Sequence, residues 1–180
     1  MNPLKEFVYR LRGEHTTERL VSMGMHVGKD FKRLKGVILD PSHCWLIDIG
    51  DRVTMAPGVH ILCHDASTKT ALGYTKIGRV TIGNNVFIGA SSVVLPGVTI
   101  GDDVIIGVNS TVTHDIPAGM VAAGCPARVL CTTEAYLEKE RARMAHAPCY
   151  GEEYTLRRDV PMEKREQMKS ELSGRIGYID

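Results

Sequence analysis

From Ile82 onward the apolar positions of the chain return at every sixth residue. The run divides into IGNNVF, IGASSV, VLPGVT, IGDDVI, IGVNST and VTHDIP, and each unit opens on Ile or Val. The third and fourth places read Asn84-Asn85, Ala90-Ser91, Pro96-Gly97, Asp102-Asp103, Val108-Asn109 and His114-Asp115. The fourth is therefore always Asn, Ser, Gly or Asp, the residues suited to a sharp corner with positive φ. The fifth place (Val86, Ser92, Val98, Val104, Ser110, Ile116) is small or β-branched, and Gly at the second place (Gly83, Gly89, Gly101, Gly107) allows close backbone packing. A short strand and a corner, repeated in this way, predict a β-solenoid whose first-place side chains point inward. An antiparallel meander would space its turns about 8–12 residues apart and has no reason to keep a strict period of six.

The same frame reads upstream as HCWLID, IGDRVT, MAPGVH and ILCHDA, starting at His43, Ile49, Met55 and Ile61. Ile61 and Ile82 are 21 residues apart, which is not a multiple of six, so a segment is inserted. The polar, aperiodic run 66–76 predicts a loop that leaves the solenoid immediately after His64. Before His43 the frame is irregular through MHVGKDFKRLKGVILD. The flanks follow helical rules: Leu4, Phe7, Val8 and Leu11 form one apolar stripe, and a short helix around Thr17 to Met23 ends at Gly24. Two polar-faced C-terminal helices are predicted, EAYLEKERARMAHA and PMEKREQMKSEL, the second begun by Pro161 and ended near Gly174. The expected organisation is a helical cap over 1–24, the β-helix over 25–131 with its loop at 66–76, and a helical extension over 132–180.

Composition narrows the partners. With 22 basic and 21 acidic residues, a formal net charge of +1 and no long run of either sign, a nucleic acid is not expected. Charges interrupt the apolar residues of MNPLKEFVYRLRGEH and no stretch is long enough to span a bilayer, so a soluble, cytoplasmic protein is expected. The five cysteines are odd in number and form no CxxC pair, which suggests reduced thiols rather than a disulfide framework or structural zinc.

The stretch from Val37 to Leu130, with IGDRVTMAPGVHILCHDAS, the loop, the run of hexads and the terminal AAGCPARVL, resembles the hexapeptide-repeat acyltransferase superfamily, in the branch of the maltose, galactoside and polysaccharide O-acetyltransferases. The resemblance implies an all-β solenoid that is a left-handed parallel β-helix with three hexads per coil. It also implies a homotrimer with acetyl-CoA bound between subunits, and acetyl transfer to a saccharide hydroxyl in polysaccharide biosynthesis.

His64 stands at the fourth, corner place of ILCHDA, so its ring is expected outside the core at the root of the loop. Direct transfer from a thioester to a hydroxyl needs a base near neutral pH, which imidazole supplies, and His64 matches the family's catalytic histidine. Asp65 replaces the proline common after it. By the same resemblance Ala90 offers a backbone N–H to the oxyanion, Phe87, Ala90, Val108 and Thr113 line the CoA groove, and Arg128 meets the CoA phosphates; His114 replaces a common Lys. On the acceptor side stand Asp40, resembling an aspartate that binds sugar hydroxyls, then His60 on a lateral face, and Asp65. Orientation of His64 by Asp65 is disfavoured, because neighbours in an extended chain face opposite ways. Trp45 is read as partly buried packing, with stacking on a sugar ring as the competing role.

No metal is expected, although His43, His60 and His64 admit a zinc enzyme akin to the γ-class carbonic anhydrases. N-acetylation of an amino sugar and a non-enzymatic trimeric β-helix module also fit the repeats.

Overall fold

Period six becomes a three-faced coil because each strand hydrogen-bonds to the strand three hexads further on. The structure is a computed structural model that describes residues 15–180. The predicted stripe of Leu4, Phe7, Val8 and Leu11 lies outside the described residues. The chain separates into two compact units, Met1–Thr133 and Glu134–Asp180.

In the first unit, helix α1 (Thr17–Ser22) is N-capped by the Thr16 hydroxyl, which accepts from the Arg19 N–H, and the chain leaves it through Gly24 at φ +107°. The first coil contributes β1 (His26–Val27), β2 (Lys32–Arg33) and β3 (Ile38–Leu39), one strand to each face. The second contributes β4 (Ile47–Ile49), β5 (Thr54–Met55) and β6 (His60–Ile61). A ribbon of β7 (His64–Asp65) and β8 (Lys76–Ile77) interrupts the coil and encloses a 3-10 turn, Ala66–Thr68, and helix α2 (Lys69–Leu72). Winding resumes with β9 (Val80–Ile82), β10 (Phe87–Ile88) and β11 (Val93–Val94), then β12 (Thr99–Ile100), β13 (Ile105–Ile106) and β14 (Thr111–Val112). The three parallel faces are thus β1-β4-β9-β12, β2-β5-β10-β13 and β3-β6-β11-β14.

The first-place side chains form the axis of the core. Ile49, Met55, Ile61, Ile82, Ile88, Val94, Ile100, Ile106 and Val112 are all buried, and each contributes on the order of 1.5–3 kcal/mol. The corners take the positive φ that the fourth place anticipated, at Asn85 (+56°), Ser91 (+58°), Asp103 (+56°) and Asn109 (+52°); Arg52 adopts it too (+54°). Second-place glycine is sterically required: a Cβ on Gly89 would lie 2.6 Å from the Val108 nitrogen of the next coil. The fifth-place serines are buried without cost. The Ser92 and Ser110 hydroxyls both donate to the Gly107 carbonyl, and Ser92 accepts from the Ser110 N–H.

Two insertions explain where the periodic reading failed. The register steps by 18 residues from Phe87 to Ile105, but by 22 from Leu39 to Ile61, so four extra residues separate the first and second coils. They include the 3-10 turn Cys44–Leu46, and the supposed hexad starting at His43 is not a repeat unit. The upstream frame was further disguised because Arg33 occupies an inward place. Its guanidinium turns to the Val37 and His15 carbonyls at the end of the coil. The loop predicted at 66–76 is an ordered insertion that starts and ends in the ribbon at 64–77.

The far end of the coil departs from simple repetition. β15 (Met120–Gly124) continues the second face in parallel, and β16 (Ala127–Thr132) returns antiparallel along it through a cis Cys125-Pro126 bond. A parallel edge is thereby closed by a strand that cannot continue the winding. The second unit holds α3 (Thr133–Met144), β17 (Cys149–Tyr150), α4 (Met162–Glu171) and β18 (Tyr178–Ile179), with β17 and β18 paired. Pro161 precedes α4 and Gly174 follows it at φ +74°, as read from the sequence; the strand pair was not anticipated.

Candidate active site

Both insertions fall at the same corner of the solenoid, between its third and first faces, on adjacent coils. That placement builds the site. The chain leaves β3 at Leu39 and presents Asp40, whose N–H bonds the Ile61 carbonyl, while the next coil leaves β6 and presents Cys63 and His64. The Asp40 carboxylate is fully enclosed. One oxygen accepts from the Ser42 N–H at 3.0 Å, and the other accepts from the Cys63 N–H at 2.9 Å and from His64 Nδ1 at 2.5 Å. Burial pushes this carboxyl up, but the hydrogen bonds from His64, Cys63 and Ser42 outweigh it and hold the group below its ordinary range. A carboxylate can only accept, so the proton sits on Nδ1 of His64 and the lone pair on Nε2. The His64 side chain is 37% exposed and opens to solvent beside the ribbon. Cys63 next to it is no nucleophile: it is buried, and desolvation with the Asp40 charge drives its thiol up to about 12.

Asp40, expected on the acceptor side, holds the His64 ring. Its two oxygens take three hydrogen bonds from within the protein. Asp65, also expected on the acceptor side, lies in the ribbon. Its carboxylate pairs with Lys76 at 2.6 Å and accepts from the Ser67 N–H, which ties the two ends of the ribbon together and lowers its pKa through the Lys76 contact first. His43 enters instead. Its ring lies 5.4 Å from that of His64 and 5.5 Å from that of Trp45, and its Nδ1 is buried with no hydrogen-bond partner among the described residues. Trp45 is not the partly buried packing residue anticipated; it is 54% exposed.

The remaining residues lie elsewhere on the coil. His60 sits half-buried on β6 between Ile38 and Val93, on a lateral face as read, and does not join His43 and His64. Phe87 is exposed on the second face. Ala90 and Val108 occupy the corner between the second and third faces on successive coils, with Val108 exposed. At the first-to-second corner each third-place N–H is taken by the next coil: Lys29 by Asp51, Asp51 by Asn84, Asn84 by Asp102. At the corner of Ala90 the next third-place side chain is Val108, which accepts nothing. Among the described residues the Ala90 N–H has no acceptor, while its carbonyl takes the Asn109 N–H. Thr113 lies at the corner of His64 on a later coil, its hydroxyl 2.8 Å from His114 Nδ1. Arg128 is exposed on β16 and donates to the Ala127 carbonyl.

A three-faced parallel coil, an inserted ribbon and a histidine held by a buried carboxylate at the ribbon's root define a class of transferase. The family model for the bacterial transferase hexapeptide (six repeats) matches residues 79–114. Protein CapG of Staphylococcus aureus is 40% identical over 143 residues, covering 75% of this chain and 81% of its own. The chain belongs to the hexapeptide-repeat transferase family. Among solved structures, a maltose O-acetyltransferase from Clostridium difficile 630 is 42% identical with a TM-score of 0.54, over 61% of this chain and 59% of that one. A hexapeptide-repeat containing acetyltransferase from Vibrio cholerae O1 biovar eltor, complexed with acetyl-CoA, is 26% identical with a TM-score of 0.55, over 61% of each chain. The chain thus spans about six-tenths of both solved relatives. No helix among the described residues is long and apolar enough to cross a membrane.

Sequence reasoning missed the Asp40–His64 contact and the place of His43. The available signal was Asp40 at the end of a strand whose Leu39 pairs with Ile61, and it becomes readable only once the four-residue insertion is known.

Proposed function

We propose that the protein is an acetyl-CoA-dependent O-acetyltransferase that delivers acetyl directly to a hydroxyl of a saccharide. The observation that carries this reading is the 2.5 Å bond from His64 Nδ1 to the buried Asp40 carboxylate, which directs the basic Nε2 lone pair outward at the ribbon. The likeness to a maltose O-acetyltransferase supports the acceptor class, and the acetyl-CoA complex of the second relative supports the donor. In this reading the solenoid winds left-handed, and the protein works as a homotrimer in the cytoplasm, where its five free cysteines stay reduced. A second copy is needed because His64 and Ala90 occupy different corners of one chain's coil.

His64 Nε2 takes the proton of the acceptor hydroxyl as its oxygen attacks the thioester carbonyl. The imidazolium formed is stabilised by ionised Asp40, which stays unprotonated. The Ala90 N–H of the neighbouring copy donates to the oxyanion. On collapse the carbon–sulfur bond breaks, and His64 returns its proton to the departing thiolate, giving the acetyl ester and CoA. Phe87 and Val108 flank the pantetheine arm with Thr113, and Arg128 meets phosphate. Exposed Trp45 offers its face to the acceptor ring, with His60 on the adjoining lateral face.

The test is thiol release from acetyl-CoA against a panel of saccharides and amino sugars, with His64→Ala as comparison. A loss of about 10²–10⁴-fold in kcat with hydroxyl acceptors is expected. Turnover confined to amino sugars, or unaltered by the substitution, refutes the proposal.

A further inference from the structure

We propose that Asp40, His43 and His64 form a binding site for a divalent transition metal of the zinc class, and that its occupation silences the base. The donors are one nitrogen from each of two imidazoles and one carboxylate oxygen, all within 4.8 Å of one another. Two imidazoles and a carboxylate, with a fourth position open to solvent, make a zinc donor set.

A second observation points to a ligand independently. His43 Nδ1 is buried and has no hydrogen-bond partner among the described residues. Buried polar atoms normally find a partner, and an unmatched imidazole nitrogen beside another imidazole and a carboxylate lacks only the Lewis acid. The supporting shell is in place. The Cys63 and Ser42 N–H groups fix the Asp40 carboxylate, and the His43 ring packs between Trp45 and His64. Tetrahedral ligands at about 2.0–2.1 Å from zinc stand roughly 3.4 Å apart, so the widest donor pair, within 4.8 Å, must close by up to ~1.4 Å while the His64–Asp40 pair opens from 2.5 Å by ~0.9 Å.

Binding through His64 Nδ1 holds the neutral ring in the tautomer with its proton on Nε2, and no proton is released. That tautomer leaves no lone pair toward the acceptor, which removes the base. His60 takes no part, so the site is not the three-histidine arrangement considered from the sequence.

The silencing rests on the acetyltransferase reading, whereas the binding does not. The full chain, with Cys125, Cys131 and Cys149 replaced by Ser to remove the thiols that are not buried, is titrated with Co²⁺ and followed by visible d–d absorption. One equivalent per chain with tetrahedral bands, displaced by Zn²⁺, is expected. His43→Ala weakens binding at least about tenfold, and His60→Ala leaves it unchanged. His43→Gln and a thermal melt guard against a variant that fails to fold. In acetyl transfer, Zn²⁺ inhibits the parent, a chelator restores it, and His43→Ala, measured against its own zinc-free rate, loses zinc sensitivity at least about tenfold. Absence of the bands, or bands that persist in both His43 variants, overturns the site. Cobalt bands with an active enzyme indifferent to zinc overturn the silencing. Bands with no turnover on any acceptor refute the acetyltransferase reading and leave the metal site standing.

Discussion

Asp40 and His64 are 24 positions apart in the chain, yet the Asp40 carboxylate receives the Nδ1 proton of His64 at 2.5 Å. The contact crosses one turn of the solenoid. It fixes which ring nitrogen carries the proton.

Replacing Asp40 by Asn tests that orientation. An amide N–H facing Nδ1 favours the opposite tautomer, with the proton on Nε2 and no lone pair toward the acceptor. Steady-state kinetics are expected to show kcat lower by about 10²–10⁴-fold with KM for the acceptor little changed. An unaltered kcat would exclude Asp40 as the positioning residue.

Trp45→Ala probes the acceptor side. The ring is 54% exposed, so its removal should leave stability within about ±0.5 kcal/mol while raising the acceptor KM several-fold. The KM for acetyl-CoA serves as the internal control and should stay constant.

The core makes the opposite prediction. Ile88 is fully buried at a first place, and Ile88→Ala should cost about 2–5 kcal/mol in denaturant unfolding. Val108→Ala, one corner away and 70% exposed, should leave stability within about ±0.5 kcal/mol and raise the KM for acetyl-CoA instead.

Acid stability follows from Asp48 on the first face. Burial raises its pKa, but hydrogen bonds from His26 and Arg79 at 2.8 and 2.6 Å prevail and hold it below the ordinary 3.8. A depressed carboxylate contributes stability that is present above the unfolded value and disappears as pH falls through the folded one. The partners are largely exposed, so screening limits the contribution to under about 1 kcal/mol. The stability difference between the parent and Asp48→Asn should therefore be full at pH 7 and shrink once pH drops below about 3.8. A difference independent of pH would show that the pair is not formed.

The hexads from Ile82 to Pro117 were legible because every repeat solves the same local problem. An inward β-branched or aliphatic residue, a glycine where coils touch and a corner residue tolerant of positive φ each announce themselves by type and spacing. The ribbon was visible as a break in that period, and His64 as the residue at its root. Asp40, His43 and Trp45 were not assignable, because four extra residues shift the frame without any periodic mark and an inward Arg33 masks the first coil.

By itself, then, the amino-acid order determined the repeat, the buried axis and the corner positions, which depend on neighbours within six residues, and it marked the candidate base by the break in that repeat and by resemblance. Only the tertiary structure decided what that base touches. Stacking one coil on the next converts separations of about twenty residues into hydrogen-bond distance, and the register of that stacking is set by insertions whose length, rather than composition, carries the information.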